Sequence, residues 1–339
     1  MAAAGFKGRD ARARLLTARR RADSRRATGG GQAMDATALE RMDPAAACAR
    51  YAAIRDRLPA AHFPDAAKRV ADLAAVADLF DAFVLDGFGV LNIGEAAIPG
   101  APARMAALRA AGKRLIVLTN GATRPMAATV AKYRGLGFDF TAAEIVSSRD
   151  ALAQALAARD DALLWGFAAT ARSAIEELAP RALLLGDDPA AYDAAEGFAL
   201  LSGDAWSPAR QALLLAALRA RPRPVLVGNP DLVAPREDGL SLEPGLHAHA
   251  LWDATGAPCA FYGKPFANVF DLARAKLGPD IAPQRVAMVG DTLHTDILGG
   301  AAAGWRTVLV RAHGLLRDLD ADVLIRETGI TPDFIAETT

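Results

Sequence analysis

Four short segments, far apart in the chain, carry residues whose types could handle a phosphoryl group. Asp86 follows Phe83-Val84-Leu85, and Thr119-Asn120 follows Leu115 to Leu118. Lys264 lies in Tyr262-Gly263-Lys264-Pro265, and Asp291 and Asp296 follow Val286 to Val289. A carboxylate at the end of an apolar run can attack phosphorus and form an acyl phosphate that water later hydrolyses. A hydroxyl and backbone N–H groups at Thr119-Asn120-Gly121 can bind phosphate oxygens. A lysine can place positive charge on the transferring group and keep the nucleophile ionised. Two carboxylates spaced as Asp291 and Asp296 suit Mg²⁺, a hard cation that prefers oxygen ligands. Together these residues describe a magnesium-dependent phosphatase.

Each residue also has a plainer reading. Asp86 could cap its turn, Thr119 and Asp296 could be helix N-caps, and Lys264 could be solvated. What favours chemistry is that all four segments end short apolar runs, as buried parallel strands do. In open α/β sheets, ligands sit at the C-terminal ends of the strands. Gly87 and Gly89 would let the backbone approach a ligand closely.

The elements that position these residues follow from the pattern. Helices are expected over 36–57, 66–79, 101–111, 125–136, 267–277 and 296–303, and strands over 82–85, 114–118, 258–261, 286–289 and 307–310. Alternation of strand and helix is the mark of a parallel sheet. Asp86 and Thr119 are separated by little more than one β-α unit, whereas Thr119 and Lys264 are far enough apart to hold a second domain. That interval contains its own strands, near 162–164, 181–185 and 224–227, and helices over 169–178 and 208–220. The expected organisation is therefore a core from 35–148 and 255–339, interrupted by an α/β insertion over 149–254. Residues 1–34, rich in arginine and poor in acids, are expected to be a disordered extension.

Composition narrows the classes. The 339 residues are 52% hydrophobic, and 39 Lys and Arg balance 39 Asp and Glu, which gives no reason to expect nucleic acid as a partner. No apolar run reaches the roughly 18–20 residues of a membrane span. Cys48 and Cys259 match no metal or redox spacing and read as reduced, buried thiols of a cytoplasmic protein. His247 and His249, two apart on a helical stretch, do not share a face and are not expected to share a metal.

In their order along the chain, the four segments resemble the motifs of the haloacid-dehalogenase superfamily of phosphohydrolases. The insertion after Thr119 resembles its class with a C2-type cap, which includes the NagD-like and p-nitrophenyl-phosphatase-like enzymes. Ile98-Pro99-Gly100-Ala101, Gly228-Asn229-Pro230-Asp231 and Thr331-Pro332-Asp333-Phe334 also match. The resemblance implies a Rossmann-like core, a mobile cap and Mg²⁺-dependent hydrolysis of a small phosphorylated substrate. It further implies that the backbone carbonyl of Phe88 joins Asp86, Asp291 and Asp296 at the metal, and that Asn229 and Asp231 face the substrate. Caps of this class commonly pair, so a homodimer through the cap is an expectation.

One position departs from the pattern. Two residues after the nucleophile, phosphatases of the superfamily carry a second Asp that protonates the leaving oxygen; here it is Phe88. General acid–base help is typically worth roughly 10²–10⁴ in rate, so substrates with poor leaving groups should react slowly. An aromatic there also resembles the superfamily's dehalogenases and phosphonatases. Dehalogenases need no metal, and Asp291 and Asp296 argue against that branch. The other readings are a regulatory protein that binds phosphate and Mg²⁺ with little catalysis, phosphonatase-like cleavage, and phosphoryl transfer to another acceptor.

Overall fold

The computed structural model describes residues 42–159, 162–236 and 239–339. The expected extension over 1–34 and the start of the first helix lie outside the described residues. Along the chain come β1 (Lys68–Val70), β2 (Ala82–Leu85), the short hairpin β3 (Asn92–Ile93) and β4 (Ala96–Ala97), β5 (Arg114–Thr119) and β6 (Ile145–Ser147). Next are β7 (Trp165–Ala168), β8 (Ala182–Leu184), β9 (Gly197–Leu200), β10 (Val225–Val227), the hairpin β11 (Val233–Arg236) and β12 (Gly239–Leu242), and β13 (Ala260–Phe261). The last three are β14 (Val286–Gly290), β15 (Arg306–Val310) and β16 (Phe334–Ala336).

The main sheet has seven strands in the order β1-β16-β15-β14-β2-β5-β6, all parallel. Its middle is buried on both faces: all residues of β2 and β14 are buried, as are all but the first of β5. That is why these strands read as continuous apolar runs rather than as alternation. Leu85 pairs with Val289 on one side and with Val117 on the other. This register brings the ends of β2, β5 and β14, and with them Asp86, Thr119 and Asp291, to one edge of the sheet.

The second sheet has five parallel strands in the order β13-β10-β9-β7-β8 and its own apolar cluster around Phe198, Leu200, Leu214 and Val227. The Rossmann-like core with a second α/β domain is thus the observed architecture. Several element expectations change. The strand over 258–261 does not resume the core; Ala260 and Phe261 pair with Leu226 and Val227 at the edge of the second sheet. A two-residue strand is fixed by whichever edge is free beside it, and its apolar pattern alone does not identify that edge. The chain therefore crosses between the sheets through Tyr262 to Pro265, which is where Lys264 stands.

The helix expected over 66–79 is β1 followed by a 3₁₀ turn at Leu73–Leu79. Its alanine content suggested a helix, but Lys68-Arg69 supplies the charged, exposed edge strand that ends the sheet. The stretch over 169–178 forms two short 3₁₀ turns, and the strand placed at 162–164 lies at 165–168. The helix expected from 296 is a π-helical turn, Leu293–Ile297, running into an α-helix at Leu298–Ala302. π-turns often occur at functional sites; here the turn carries Asp296 back over the end of β14.

Ahead of the main sheet, helix Pro44–Ala53 starts on Asp43, whose side chain accepts from Ala46 N–H at 2.7 Å, with Pro44 at the first turn. Such a cap contributes about 1 kcal/mol. The helix buries Cys48 and Tyr51, and it bridges the two domains. Its Tyr51 ring stacks on His294 of the π-turn, 4.9 Å between centroids, and the Tyr51 hydroxyl accepts from Leu232 N–H of the second domain at 3.1 Å. Arg50 and Arg57 pair with Asp253 on helix Pro244–Thr255 at 2.5 and 2.6 Å. Cys48 and Cys259 are both free and buried. Among the described residues no helix is long and apolar enough to cross a membrane.

Candidate active site

Asp86 leaves β2 with its N–H donating to Val289 O at 2.9 Å, which fixes the backbone just before the side chain enters the site. Its Oδ1 accepts from Gly87 N–H at 2.7 Å and lies 2.6 Å from Lys264 Nζ. The same ammonium lies 2.7 Å from Asp296 Oδ1. Lys264 and Asp296 are fully buried and cut off from solvent, whereas the Asp86 side chain keeps 14% exposure toward the cavity. Burial alone would lower the Lys264 ammonium, but Asp296, Asp86 and Asp231 hold it above its usual range.

Asp291 stands at the end of β14, one residue after Gly290. Its Oδ2 accepts from Leu315 N–H at 2.8 Å and its Oδ1 from the Thr292 hydroxyl at 2.9 Å. Oxygens of Asp86, Asp291 and Asp296 all lie within 4.8 Å of one another. Crowding three buried carboxyls costs energy: desolvation, moderated by Lys264 and reinforced by Asp296, pushes Asp86 up to about 6. Desolvation, then Asp86 and Asp296, push Asp291 up to about 8. Asp296 Oδ1 is buried and has no well-formed hydrogen bond among the described residues. An all-oxygen donor set of three carboxyls, whose charge the single Lys264 ammonium only partly offsets, fits a hard divalent cation.

Glycines make the approach possible. Gly89 has φ +76, and a Cβ there would lie 2.6 Å from the Asp291 carboxyl; a Cβ at Gly290 would lie 2.0 Å from Asp296 Cγ. These are the points where the loop after β2 and the π-turn close on the acids.

Asn120, after β5, is a buried four-way tie. Its Nδ2 donates to Asp231 Oδ1 at 2.8 Å and to Lys264 O at 3.1 Å, while its Oδ1 accepts from Lys264 N–H at 2.7 Å and the Ser148 hydroxyl at 2.9 Å. The Thr119 hydroxyl accepts from Gly121 N–H at 3.1 Å. Asn229 sits deeper: its Oδ1 accepts from Asp231 N–H at 3.0 Å and its Nδ2 donates to Glu243 at 3.0 Å, so it shapes the loop that carries Asp231. Burial pushes the Asp231 carboxyl well above its usual range, against the pull of Lys264.

These groups open into a cavity of about 410 Å³ between the two domains. Asp86, Phe88, Thr119, Asn120, Gly121, Asp231 and Asp291 line it, whereas Asn229 and Lys264 stand behind the wall. Sequence reasoning missed Tyr51, Lys132, Arg236 and Glu243, which also line it. Tyr51 precedes every recognised motif, and Lys132 sits mid-helix where a lysine is ordinarily solvated. Lys132 is instead half-buried over the Phe88 ring, its ammonium 4.5 Å from the centroid, and desolvation, against Glu95, lowers it to about 8. His294 is buried and turned onto Tyr51, away from any part in the chemistry.

Residues 83–181 match the family described as haloacid dehalogenase-like hydrolase, and residues 261–338 a second description, HAD-hydrolase-like. Glycerol-3-phosphate phosphatase of Gallus gallus is 34% identical over 292 residues, covering 76% of this chain and 89% of that protein. A possible sugar phosphatase of the same superfamily from Cytophaga hutchinsonii superposes with a TM-score of 0.72 at 27% identity, over 80% of this chain and 98% of that one. A glycerol phosphate phosphatase from Mycobacterium tuberculosis, solved in complex with magnesium, superposes with a TM-score of 0.61 at 25% identity, over 78% and 76% of the two chains. With Asp86, Lys264 and the acidic pair gathered at one sheet edge, the chain belongs to the haloacid-dehalogenase-like hydrolases, in the class IIA branch of NagD-like and p-nitrophenyl-phosphatase-like enzymes, and is an enzyme of that phosphatase type.

Proposed function

We propose that this enzyme hydrolyses the phosphate ester of a small metabolite in the presence of Mg²⁺, with Asp86 as nucleophile. The observation that carries the reading is the ion triad: Lys264 holds Asp86 at 2.6 Å and Asp296 at 2.7 Å beside Asp291. Asp86, Asp291, Asp296 and the carbonyl of Phe88 would hold the cation, which would screen charge on the phosphoryl oxygens. The second α/β domain acts as the cap, and Asp231 presents its carboxyl to the cavity from that side.

Lys264 keeps Asp86 ionised, so one Asp86 oxygen attacks phosphorus while the ester oxygen departs with the bonding electrons. Thr119 and the N–H groups of Asn120 and Gly121 take up phosphoryl oxygens. Water then attacks phosphorus, releasing inorganic phosphate and restoring the Asp86 carboxylate. Phe88 has no proton to give, so the leaving oxygen must depart as an anion or draw its proton from solvent. That favours good leaving groups, the phenols of aryl phosphates or the carboxylates of acyl phosphates, by the roughly 10²–10⁴ that acid–base help is worth.

Phosphate release from p-nitrophenyl phosphate, with and without Mg²⁺, tests this. Turnover lost with Asp86→Asn and on chelation is the expected result; turnover that persists in Asp86→Asn removes the mechanism. The Phe88 side chain motivates a second reading, a phosphate-binding protein with little catalysis. Tight ligand binding without turnover, and hydrolysis gained in Phe88→Asp, would select it.

A further inference from the structure

We infer that the cavity carries a second anion subsite beside the phosphoryl site, built from Lys132, Arg236 and Arg124, and that the substrate is a phosphate ester whose leaving group bears a second negative charge. The inference rests on the phosphatase reading above and narrows its substrate class.

The three cations line one cavity, and two of them, Lys132 from the core and Arg236 from the second domain, meet over Phe88. Lys132 is on helix Met126–Gly135 of the core, Arg124 lies in the loop before that helix, and Arg236 ends β11 of the second domain. All three line the cavity that holds Asp86 and Thr119. Lys132 Nζ lies 4.5 Å, and Arg236 Cζ 5.2 Å, from the Phe88 ring centroid.

Two of the three have resident carboxylates. Arg124 pairs with Glu95 at 3.1 Å, and Arg236 pairs with Glu243 at 3.2 Å while its Nε donates to Ser241 at 2.9 Å. Lys132 has no ion pair or hydrogen bond among the described residues; its contacts are the rings of Phe88 and Tyr133, the latter at 5.5 Å. A ring quadrupole attracts a cation but does not neutralise it. A half-buried ammonium that Glu95 offsets only at a distance, with no direct ion pair among the described residues, is costly unless an anion arrives with the ligand.

The residue beneath that ammonium strengthens the argument. A carboxylate at position 88 would neutralise Lys132 from inside the site, but Phe88 leaves the positive charge available. The chemistry that fits is a carboxylate or second phosphate on the alcohol portion of the ester. Such a group would also draw the alcohol against the apolar ring.

The test uses a matched pair that differs by one charge: 3-phosphoglycerate and glycerol 3-phosphate, which carry a carboxylate and a hydroxymethyl group at the same position. A charge-assisted hydrogen bond contributes enough to favour the acid by about tenfold or more in kcat/KM. Lys132→Met should collapse that ratio toward one, Lys132→Arg should preserve it, and Arg236→Gln should reduce it without touching the helix. Equal use of both esters by the unaltered enzyme, or a Lys132→Met variant that keeps the ratio, would overturn the subsite. Calorimetric titration of the Asp86→Asn protein with the same pair reads the preference in binding alone. A subsite that is present on an enzyme that turns nothing over is thus distinguished from an active phosphatase that lacks the subsite.

Discussion

Asn120 and Asp231 are joined across the seam between the main sheet and the second domain by a 2.8 Å hydrogen bond, and the same Asn120 side chain holds both the N–H and the carbonyl of Lys264. One amide thereby fixes the position of the buried ammonium and of the facing carboxyl.

Asn120→Ala should therefore affect activity and stability together. It leaves the Lys264 peptide and the Ser148 hydroxyl without a buried partner, each costing about 1–3 kcal/mol. We expect a lower denaturant midpoint and a fall in kcat/KM for p-nitrophenyl phosphate. A variant with unchanged unfolding and full activity would show that the tie is not needed.

Lys264→Met removes the positive charge between two buried carboxyls. Breaking a buried ion pair from one side typically costs about 3–5 kcal/mol. The expected result is loss of turnover with a marked drop in stability, part of which Mg²⁺ restores. Urea unfolding with and without Mg²⁺ reads both, and a variant as stable as the parent protein would contradict the triad.

Tyr51 separates two contributions of the N-terminal helix. Tyr51→Phe keeps the stack on His294 but leaves Leu232 N–H unsatisfied, at about 1–3 kcal/mol. Tyr51→Ala also opens space beside the cavity, and an aromatic truncation in a packed site costs about 3–5 kcal/mol. Thermal unfolding should rank the parent above Tyr51→Phe and Tyr51→Phe above Tyr51→Ala. Equal values for the two variants would show that the stack contributes nothing.

Histidines in the second domain give a pH signature. Desolvation lowers His247 to about 4, and its two ring nitrogens have no hydrogen-bond partner among the described residues; desolvation, with Arg50 and Arg57, lowers His249 to about 3. Both are neutral when folded and take up a proton when unfolded below about 6.5. At these two sites the unfolded chain then binds more protons, so their contribution to stability falls as pH drops from about 6.5 toward 4, opposite in sign to that of Asp86 and Asp291, whose carboxyls are raised in the folded state. Comparing denaturant midpoints of the parent and His247→Leu across this range isolates the histidine part: the variant should lose less stability, or gain more, as pH falls. A slope unchanged in His247→Leu would mean that other groups set it.

The gathering of Asp86, Thr119 and Asp291 at one sheet edge was legible because parallel strands buried on both faces leave continuous apolar runs, each ending in the polar residue it delivers. The ties that hold those residues were less legible. Asn120 was expected to offer its backbone N–H to phosphate; the part its side chain plays, holding Lys264, Ser148 and Asp231, left no mark in the sequence. Lys264 was expected to place charge on the phosphoryl group and to keep Asp86 ionised; its contact with Asp86 is there, and its second contact, with Asp296, is one its loop did not disclose. Tyr51 and Lys132 gave no signal because their roles come from tertiary placement: one helix falls between two domains, and one lysine folds over a ring. The strand at Ala260–Phe261 was recognised but given to the wrong sheet, because pairing is decided by the neighbour and not by the run itself.

The helix Pro44–Ala53 holds the π-turn through Tyr51 and the second domain through Leu232 and Asp253. Swinging the domains apart must therefore either tear the ring stack from His294 or release the bonds to Leu232 and Asp253, and the helix then travels with whichever side keeps it. Among the described residues its covalent link to the main sheet is the stretch from Leu58 to Lys68, whose full extension of about 3.3–3.6 Å per residue sets how far it can travel. The gap that admits substrate is bounded by that link as well as by the two crossings between the sheets.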